Sequence, residues 1–426
     1  MKTLARTVSL LTTLALLASC GGNAAPGNDD PGPGDPPPTA DCREAISGDL
    51  SVPTVLFNGP EDCDYYFPGG DVANYRVTSD LQVEPGTVVR FGVNAMLYVR
   101  SGGSLTAVGT SESKITFEGE QVLDGYWHGI CFEENHESRL EFVDIRSAGK
   151  AWSPTGTSGK GAIAGSYPAG EAVHIQNTHV SGSYVSGLSA HYLTLGEFAN
   201  NAFFGNREYG VAAHATQVLR LDAESDYLGA DHGAVNGKPF VYAGGHIRDT
   251  EEPHIWLNLN APYFASSDEF GYDKSITADG GTTLVIEEGT RLVFEGDSEL
   301  YVSGGSALGL GGTPENPVVL TGLDEEPGSW NGVRISNSAA ILSNVEILWG
   351  GRDDLFYEGS LYFVEVGTDA RGKMLENVFI DGSANCALVI EHEDVSVFDP
   401  LDVRFGSNNE RDRCTGSAGT VVSSSD

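Results

Sequence analysis

An internal duplication constrains the fold of this chain more than any other feature. The segment from Leu81 to Phe132 aligns without gaps with the segment from Leu284 to Ile335, and 17 of the 52 positions are identical. Both copies carry a Gly-Thr turn, a Leu-Tyr-Val strand and a turn of the form Gly-x-Trp-x-Gly. A line repeated inside one chain predicts a repeat architecture, in which each unit buries its apolar face against its neighbours.

Each copy is also periodic on a finer scale. Short β-rich runs such as LQV, VVRF and SLTAV alternate with turns of Gly, Asn, Asp and Ser. Because side chains alternate between the two faces of a strand, Leu81, Val83, Val89 and Phe91 are predicted to point inward. Residue pairs that form tight hairpins are few, which disfavours antiparallel pairing. We therefore expect an all-β parallel solenoid with about 23 residues in each coil.

Asparagine and tryptophan recur at fixed places in this pattern. Four asparagines lie at turns that precede an apolar strand: Asn177, Asn201, Asn344 and Asn377. Asparagines stacked at one turn of successive coils can form a ladder of amide hydrogen bonds, and four unrelated turn residues are the alternative. Trp127 and Trp330 occupy the same duplicated turn between two glycines. We expect them to pack at a corner of the coil, with stacking on a sugar ring as the alternative.

The first residues have the features of an export signal. Lys2 and Arg6 precede an apolar run at 8–17, which is too short for a resident membrane span. Leu-Ala-Ser-Cys follows, and this segment resembles the lipobox of bacterial lipoproteins, with Cys20 as the lipidated cysteine. The resemblance implies a signal peptide at 1–19 and acylation of Cys20. An ordinary secretory signal with an incidental cysteine is the alternative.

The residue that follows Cys20 bears on where the protein is sorted. An Asp at this place tends to retain proteobacterial lipoproteins at the inner membrane. This chain has Gly21 instead, so the resemblance implies the outer membrane or the cell surface. Residues 20–41 then form a segment rich in Gly, Pro and Asp, which predicts a disordered or polyproline-like tether between lipid and body.

The remaining cysteines fit an exported chain. An oxidising compartment permits disulfides, and the local choices are Cys42 with Cys63 and Cys386 with Cys414, near the two ends of the body. Cys131, in the apolar run GICF, would then be a buried free thiol. Spacing alone leaves other connectivities open.

The charge of the chain is lopsided. The sequence has 24 basic and 60 acidic residues, a net charge of −36, and removal of residues 1–19 would leave 22 basic residues and a net charge of −38. Such a field repels nucleic acid and anionic lipid headgroups. A solvated surface that resists aggregation explains the acids. Ca²⁺ held by loop carboxylates is the alternative, and no other cofactor is expected.

The sequence pattern of the duplicated segment resembles that of a known family. Its form, L-x-V/I-x-x-G-T-x-x-x-F followed by G-x-W-x-G-I/V, is similar to the right-handed parallel β-helix of the pectin-lyase-like superfamily, and in particular to the β-helix lipoproteins of bacterial surfaces. The resemblance covers roughly residues 62–405. With the leader it predicts a signal peptide (1–19), a lipidated tether (20–41), a first module (42–225), linking coils (226–274) and a second module with a C-terminal cap (275–426).

Two loop inserts are the candidate positions for chemistry. Segments 151–170 and 352–373 leave the duplicated coil at nearly the same corner, and the second contains the adjacent carboxylates Asp353 and Asp354. Polygalacturonase-like hydrolases of the resembled superfamily use such a pair as acid and base. They also carry Gly-His-Gly and Arg-Ile-Lys segments, and neither accompanies the pair in this chain. Asp353 and Asp354 are therefore weak catalytic candidates.

These observations predict a lipid-anchored envelope protein without catalytic activity. Its expected roles are adhesion, scaffolding or glycan binding. Its expected partners are the membrane, through the N-terminal lipid, and an extracellular glycan or a surface protein. The alternative is a polysaccharide lyase or glycoside hydrolase that acts on glycans containing uronic acid. The superfamily hosts enzymes and binding proteins alike, so the fold leaves both open.

Overall fold

A computed structural model provides the coordinates of the chain. It describes residues 42–71, 73–150, 160–167, 169–248, 253–266, 274–352, 359–364, 373–391, 398–415 and 422–423. The described part consists mainly of short β-strands, with two 3₁₀ helices, Ala215–Arg220 and Ala230–His232. Neither helix has the length and apolar character needed to cross a membrane.

The strands of the first half are numbered in chain order. They are β1 (Glu44–Ala45), β2 (Thr54–Leu56), β3 (Tyr65–Phe67), β4 (Ala73–Val77), β5 (Asp80–Val83), β6 (Val88–Phe91), β7 (Ala95–Arg100), β8 (Ser104–Val108), β9 (Ile115–Gly119), β10 (Gly129–Glu133), β11 (Ser138–Glu141), β12 (Val143–Arg146), β13 (Gly161–Gly165), β14 (Val173–Gln176), β15 (His179–Ser181), β16 (Ser186–Ala190), β17 (Leu195–Ala199), β18 (Ala202–Phe204) and β19 (Val211–His214). Their regular recurrence gives one coil after another, and each coil contributes one strand to each of three sheets.

The second half begins with a longer strand. Its strands are β20 (Val241–Ile247), β21 (His254–Trp256), β22 (Tyr263–Ser266), β23 (Ile276–Ala278), β24 (Thr283–Ile286), β25 (Arg291–Glu295), β26 (Glu299–Val302), β27 (Ala307–Gly311), β28 (Val318–Gly322), β29 (Gly332–Ser336), β30 (Ala339–Leu348), β31 (Gly359–Val364), β32 (Lys373–Asp381), β33 (Cys386–Ile390), β34 (Phe398–Phe405), β35 (Arg411–Thr415) and β36 (Val422–Ser423). Strands β30 and β32 are long because each turns a corner and pairs within two sheets.

In the first half every described pairing is parallel and joins successive coils. Sheet A has the order β1-β3-β6-β9-β12-β15-β18, and sheet C has the order β2-β5-β8-β11-β14-β17. Sheet B runs β4-β7-β10-β13-β16-β19-β20. The sequence prediction of an all-β parallel solenoid is confirmed. The coils differ more in length than predicted, because loops of unequal size join the strands: Tyr75 pairs with Leu97, 22 residues on, and Leu97 with Ile130, 33 residues on.

The second half repeats the three-sheet arrangement. Sheet D joins β22, β25, β28, β30, β32 and β34, and sheet F joins β21 and β24 to β27 and then to the first parts of the same long strands. Sheet E runs β20-β23-β26-β29-β31-β33-β35. The antiparallel strand β36 lies on β35 and covers the edge of that sheet.

The two halves join through β20 and the first 3₁₀ helix. On one side β20 pairs with β19, and on the other its first residues pair with β22 and its last with β23. The helix Ala215–Arg220 packs against β17 and β21 with Ala215 and Val218 buried, so that one helical turn stands where the other coils have a strand. One apolar cluster runs from Leu50 to Phe398 through both halves. The described coils therefore form one continuous solenoid.

Disulfides tie together the coils at both ends. Cys42 is bonded to Cys63 and Cys386 to Cys414, with Cα atoms 4.5 and 6.0 Å apart. The predicted pairings are confirmed. Cys131 is buried and forms no disulfide. Because the stability of a stacked repeat depends on contacts between neighbours, the terminal coils have only one neighbour each, and a covalent link there limits fraying.

Candidate functional site

The outer side of sheet A carries a group of interacting charged side chains, which we call the polar face. Its members are Arg90, Lys114, Glu118, Asp144, Arg146 and His179. Strand alternation places it there: Phe91 and Ile145 point into the core, so their neighbours Arg90 and Arg146 point outward. The parallel register then puts outward side chains of successive coils side by side, about 4.8 Å apart.

One column of the polar face alternates in charge. Arg90 Nε donates to Glu118 Oε1 at 2.9 Å, and Arg146 approaches Glu118 Oε2 at 3.8 Å. Arg146 also donates to Asp144 Oδ2 at 2.7 Å. Half of the Arg146 side chain is exposed, at 51%. The guanidinium of Arg146 is therefore accessible from solvent although it pairs with both carboxylates.

A second column centres on Asp144. Its Oδ1 accepts from Lys114 Nζ at 3.2 Å and lies 3.3 Å from His179 Nδ1. Burial acts to raise the pKa of Asp144, but the hydrogen bonds from His179 and Arg146 and the charge of Lys114 outweigh it, so the pKa lies well below its usual range. Asp144 is therefore a fixed negative charge that positions its three partners, and it is unsuited to the role of a general acid.

A tyrosine pair extends the polar face toward the first coils. Tyr66 and Tyr126 both direct their hydroxyls at Glu120 Oε2, at 3.0 and 3.5 Å. Burial and the charge of Glu120 raise the pKa of Tyr66 above its usual value. Both phenols are consequently neutral donors at physiological pH, and their partly buried rings border the charged columns.

The charge balance of the polar face differs from that of the chain. Three permanent cations, Arg90, Lys114 and Arg146, lie among the two carboxylates Glu118 and Asp144, whereas acids outnumber bases 60 to 24 in the whole sequence. All six side chains are at least partly accessible. A strip of donors and acceptors along the coil axis can bind an extended polar ligand.

The two tryptophans of the duplicated turn lie inside the solenoid. Trp127 stacks on Phe91 with ring centroids 3.9 Å apart, and Trp330 stacks on Phe294 at 4.3 Å. Each indole is fully buried, and its Nε1 donates to a backbone carbonyl, that of Arg146 at 2.9 Å or that of Leu348 at 2.8 Å. Neither ring presents a face to a sugar.

The four asparagines singled out in the sequence fall into different environments. Asn377 Nδ2 donates to Asn344 Oδ1 at 2.7 Å, and Asn344 Nδ2 donates to the Gly312 carbonyl, so these two form a short ladder. Asn201 instead binds the backbone of the preceding coil at Thr178 and Ile175. Asn177 holds a corner with positive φ, and its counterpart in the next coil is Asn200, one position before Asn201.

A second set of stacked asparagines has no marker in the sequence. Asn206 and Asn236 are buried, and Asn236 Oδ1 accepts from both the backbone and the side-chain nitrogen of Asn206 at 3.0 Å. Asn206 Oδ1 in turn accepts from the Ser183 backbone N–H. The coils that carry these residues differ in length, so no fixed sequence spacing identifies them. The polar face was not predicted for a related reason, since its members are neighbours only through strand register.

Other predicted positions lie outside the described residues. Cys20, the tether 21–41 and the weak catalytic candidates Asp353 and Asp354 belong to that part of the chain. Within the described ranges there is no group of three or more His, Cys, Asp or Glu side chains arranged to hold a metal ion. The alternative of Ca²⁺ in the loops stays a prediction.

The chain was compared with known proteins in three ways. No family model matches it, and neither a curated protein nor a solved structure gives a significant match. Function must therefore be inferred from the geometry of the molecule.

Proposed function

We propose that this protein is a lipid-anchored envelope protein that binds an acidic extracellular glycan along the polar face. The observation that carries the proposal is the group of three cations on an accessible strip of sheet A, where carboxylates do not outnumber cations even when Glu120 is counted, in a chain of net charge −36. The binding side chains would be Arg90 and Arg146, which can exchange an internal carboxylate for one on the ligand. The solenoid would be of the right-handed pectin-lyase-like kind, anchored through Cys20.

An extended ligand suits this surface better than a compact one. The charged side chains follow two columns across β6, β9, β12 and β15, at the spacing of the coils. Uronate carboxylates that recur along a polymer would meet guanidinium groups that recur along the stack. Each contact would be weak because it is exposed, so affinity would come from several contacts on one polymer chain.

Binding can be tested with the full-length protein against immobilised polygalacturonate, alginate and neutral dextran. We expect retention on the two uronate polymers, loss of retention with rising salt, and about two- to fivefold weaker binding in Arg146→Ala, because an exposed ion pair contributes about 0.2–1 kcal/mol. Arg291→Ala, at the exposed arginine of sheet D, is the matched control. Equal binding by all three proteins, or equal retention on dextran, would refute the proposed site.

The same samples address the enzymatic alternative. Release of unsaturated uronate, read by absorbance, would identify a lyase and replace the binding role. Anchoring needs a separate test: Cys20→Ala should abolish incorporation of labelled fatty acid and release the protein from the membrane fraction. Retention of the label in that variant would contradict the anchor without affecting the polar face.

A further inference from the structure

Two histidines from different coils lie next to each other on the outside of the first half. His179 begins β15, and His232 ends the second 3₁₀ helix. Their ring centroids are 5.2 Å apart, with the planes inclined by 68°. The two side chains are each 32% exposed, so a small solute can reach them from solvent. Phe204 supports the pair, since the His232 ring stacks on it at 4.9 Å.

A buried carboxylate fixes the orientation of His232. Its Nδ1 lies 3.0 Å from Asp226 Oδ2, while Asp226 Oδ1 accepts from the N–H groups of Leu228 and Gly229 and from Asn260 Nδ2. Three donors at Oδ1 are what an ionised carboxylate binds. An ionised carboxylate only accepts, so Nδ1 of His232 carries the proton and Nε2 presents its lone pair.

A second carboxylate stands in the same relation to His179. Asp144 Oδ1 lies 3.3 Å from His179 Nδ1, and Oδ2 of the same carboxylate accepts from Arg146 at 2.7 Å. Lys114 Nζ is 3.2 Å from the same Nδ1 and also pairs with Asp144. Lys114 can donate to Asp144 as well, so in the tautomer whose Nδ1 also donates to Asp144, Nε2 of His179 is left as an acceptor. Among the described residues, neither Nε2 atom has a hydrogen-bond partner.

We propose that His179 Nε2 and His232 Nε2 together bind one divalent transition-metal ion of the copper, nickel and zinc class. Imidazole nitrogen suits these ions, and histidine ligands usually donate their other N–H to a carboxylate, which Asp144 and Asp226 provide. With metal–nitrogen bonds of about 2.1 Å and a tetrahedral angle, two imidazole centroids lie about 5 Å apart. The observed 5.2 Å fits this geometry.

The remaining coordination positions would be filled by water. Two protein nitrogens make an open site, which agrees with the lack of any three-residue group among the described residues. Asp144 and Asp226 supply two negative charges behind the ligands, which compensate the charge of the ion. Asp144 also belongs to the polar face, so a bound ion would place a further cation at one end of that strip. The metal site nevertheless needs no glycan.

A second pair of neighbouring histidines provides a comparison for the proposed metal site. His191 and His214 have ring centroids 5.0 Å apart, but the Thr216 N–H donates to His214 Nδ1. This bond puts the proton of neutral His214 on Nε2, which is the nitrogen a metal would need. Burial and the charge of His214 also lower the pKa of His191 to about 3. Separation of the rings is thus only one condition, and for His179 and His232 the carboxylates of Asp144 and Asp226 supply a second.

Copper provides the sharpest test, because electron paramagnetic resonance counts its nitrogen ligands. Full-length protein titrated with Cu²⁺ should bind one ion with a two-imidazole spectrum. His179→Ala and His232→Phe should each lose that spectrum, and the phenyl ring of the second variant keeps the stacking on Phe204. Asp226→Asn should weaken binding about 10- to 100-fold, as the loss of an orienting partner does.

The control variant is His174→Ala. His174 lies between Glu137 and Glu197 on sheet C, and its removal should leave the two-imidazole spectrum unchanged. Circular dichroism and the melting temperature establish that each variant is folded. An unaltered copper spectrum in His179→Ala or in folded His232→Phe would overturn the proposal, and so would wild-type protein that binds no copper.

Discussion

The two copies of the duplicated segment share the packing of their interior and differ in their outward-facing side chains. In both, a tryptophan stacks on a phenylalanine and bonds to a backbone carbonyl of the next coil, with nearly equal distances. On the outside, four ionisable positions of sheet A become apolar or neutral in sheet D, whereas Asp144 keeps an acidic counterpart in Glu346. The equivalent pairs are Arg90 and Val293, Glu118 and Thr321, Arg146 and Leu348, and His179 and Phe379.

This contrast separates two demands on the sequence. Inward positions must fill the volume between three sheets, so most of them stay apolar in both copies. Outward positions meet solvent, a ligand or a second layer of side chains, and they diverge without disturbing the coil. Val293, for example, packs in a small outer cluster with Tyr242 and Phe264. The first copy therefore presents a charged strip where the second presents a mostly apolar one.

The interior packing that the two copies share can be disrupted at either tryptophan. We expect Trp127→Ala and Trp330→Ala each to lower the free energy of unfolding by about 3–5 kcal/mol, because both remove a fully buried indole. Denaturant titrations followed by circular dichroism would measure both losses. Val122→Ala, at a side chain that is 96% exposed, should change stability by less than about 0.5 kcal/mol. A large loss in one copy only would show that the copies do not share their packing.

At one inward position an ionisable residue replaces an apolar one, since the second half has Lys373 where the first has Val173. Burial lowers the pKa of Lys373, since it disfavours the ammonium form. Protonation therefore costs stability below that folded pKa, and the cost disappears as pH rises toward the unfolded value of about 10.4. We expect Lys373→Val to raise the melting temperature, and to raise it more at pH 6 than at pH 10. A lower melting temperature at both pH values would argue against an unfavourable buried charge.

The contribution of the charged outer side of sheet A to stability can be tested at Asp144. Its pKa is lowered in the folded state, so its contribution to stability is complete above the unfolded value of about 3.9 and is lost as pH falls below it. Asp144→Asn should be less stable than wild type at pH 7, and the difference should shrink toward pH 2. Glu346→Gln, at the equivalent place in sheet D, should change the unfolding curve little. A difference independent of pH would assign the effect of Asp144→Asn to packing instead of charge.

The smallest effect on stability is expected when outward-facing residues of sheet A are replaced by their counterparts in sheet D. A triple variant with Arg90→Val, Glu118→Thr and Arg146→Leu should remain within about 1 kcal/mol of wild type, because partly exposed ion pairs contribute little. Retention on uronate polymers should nevertheless be lost. Unchanged retention would show that the polar face does not bind the polymer. Unfolding of the variant would show that sheet A does not tolerate the outward-facing residues of sheet D.

Much of the fold was predictable because it follows from local patterns. The inward positions Leu81, Val83, Val89 and Phe91 are all buried as the alternation requires. Gly86 and Gly289 both adopt positive φ at the duplicated Gly-Thr turn, a backbone conformation that L side chains rarely adopt. Glycine is required there, and the repeated pair could be recognised in the sequence.

The candidate site was not predictable, because unequal loops set the register of the strands that build it. Asp144 meets His179 across a coil of 35 residues, whereas His179 meets Ala202 across one of 23, and no sequence period connects them. The same holds for His232, which reaches His179 through a helix absent from the other coils.

The sequence by itself thus determined a stacked, parallel, duplicated coil, since this depends on side-chain alternation and turn residues, and it indicated a disulfide near each end without fixing the pairing. Only the tertiary structure decided which charged residues face one another, because side chains from different coils become neighbours through the stacking of the backbone, and stacking register depends on the length and path of every loop between them.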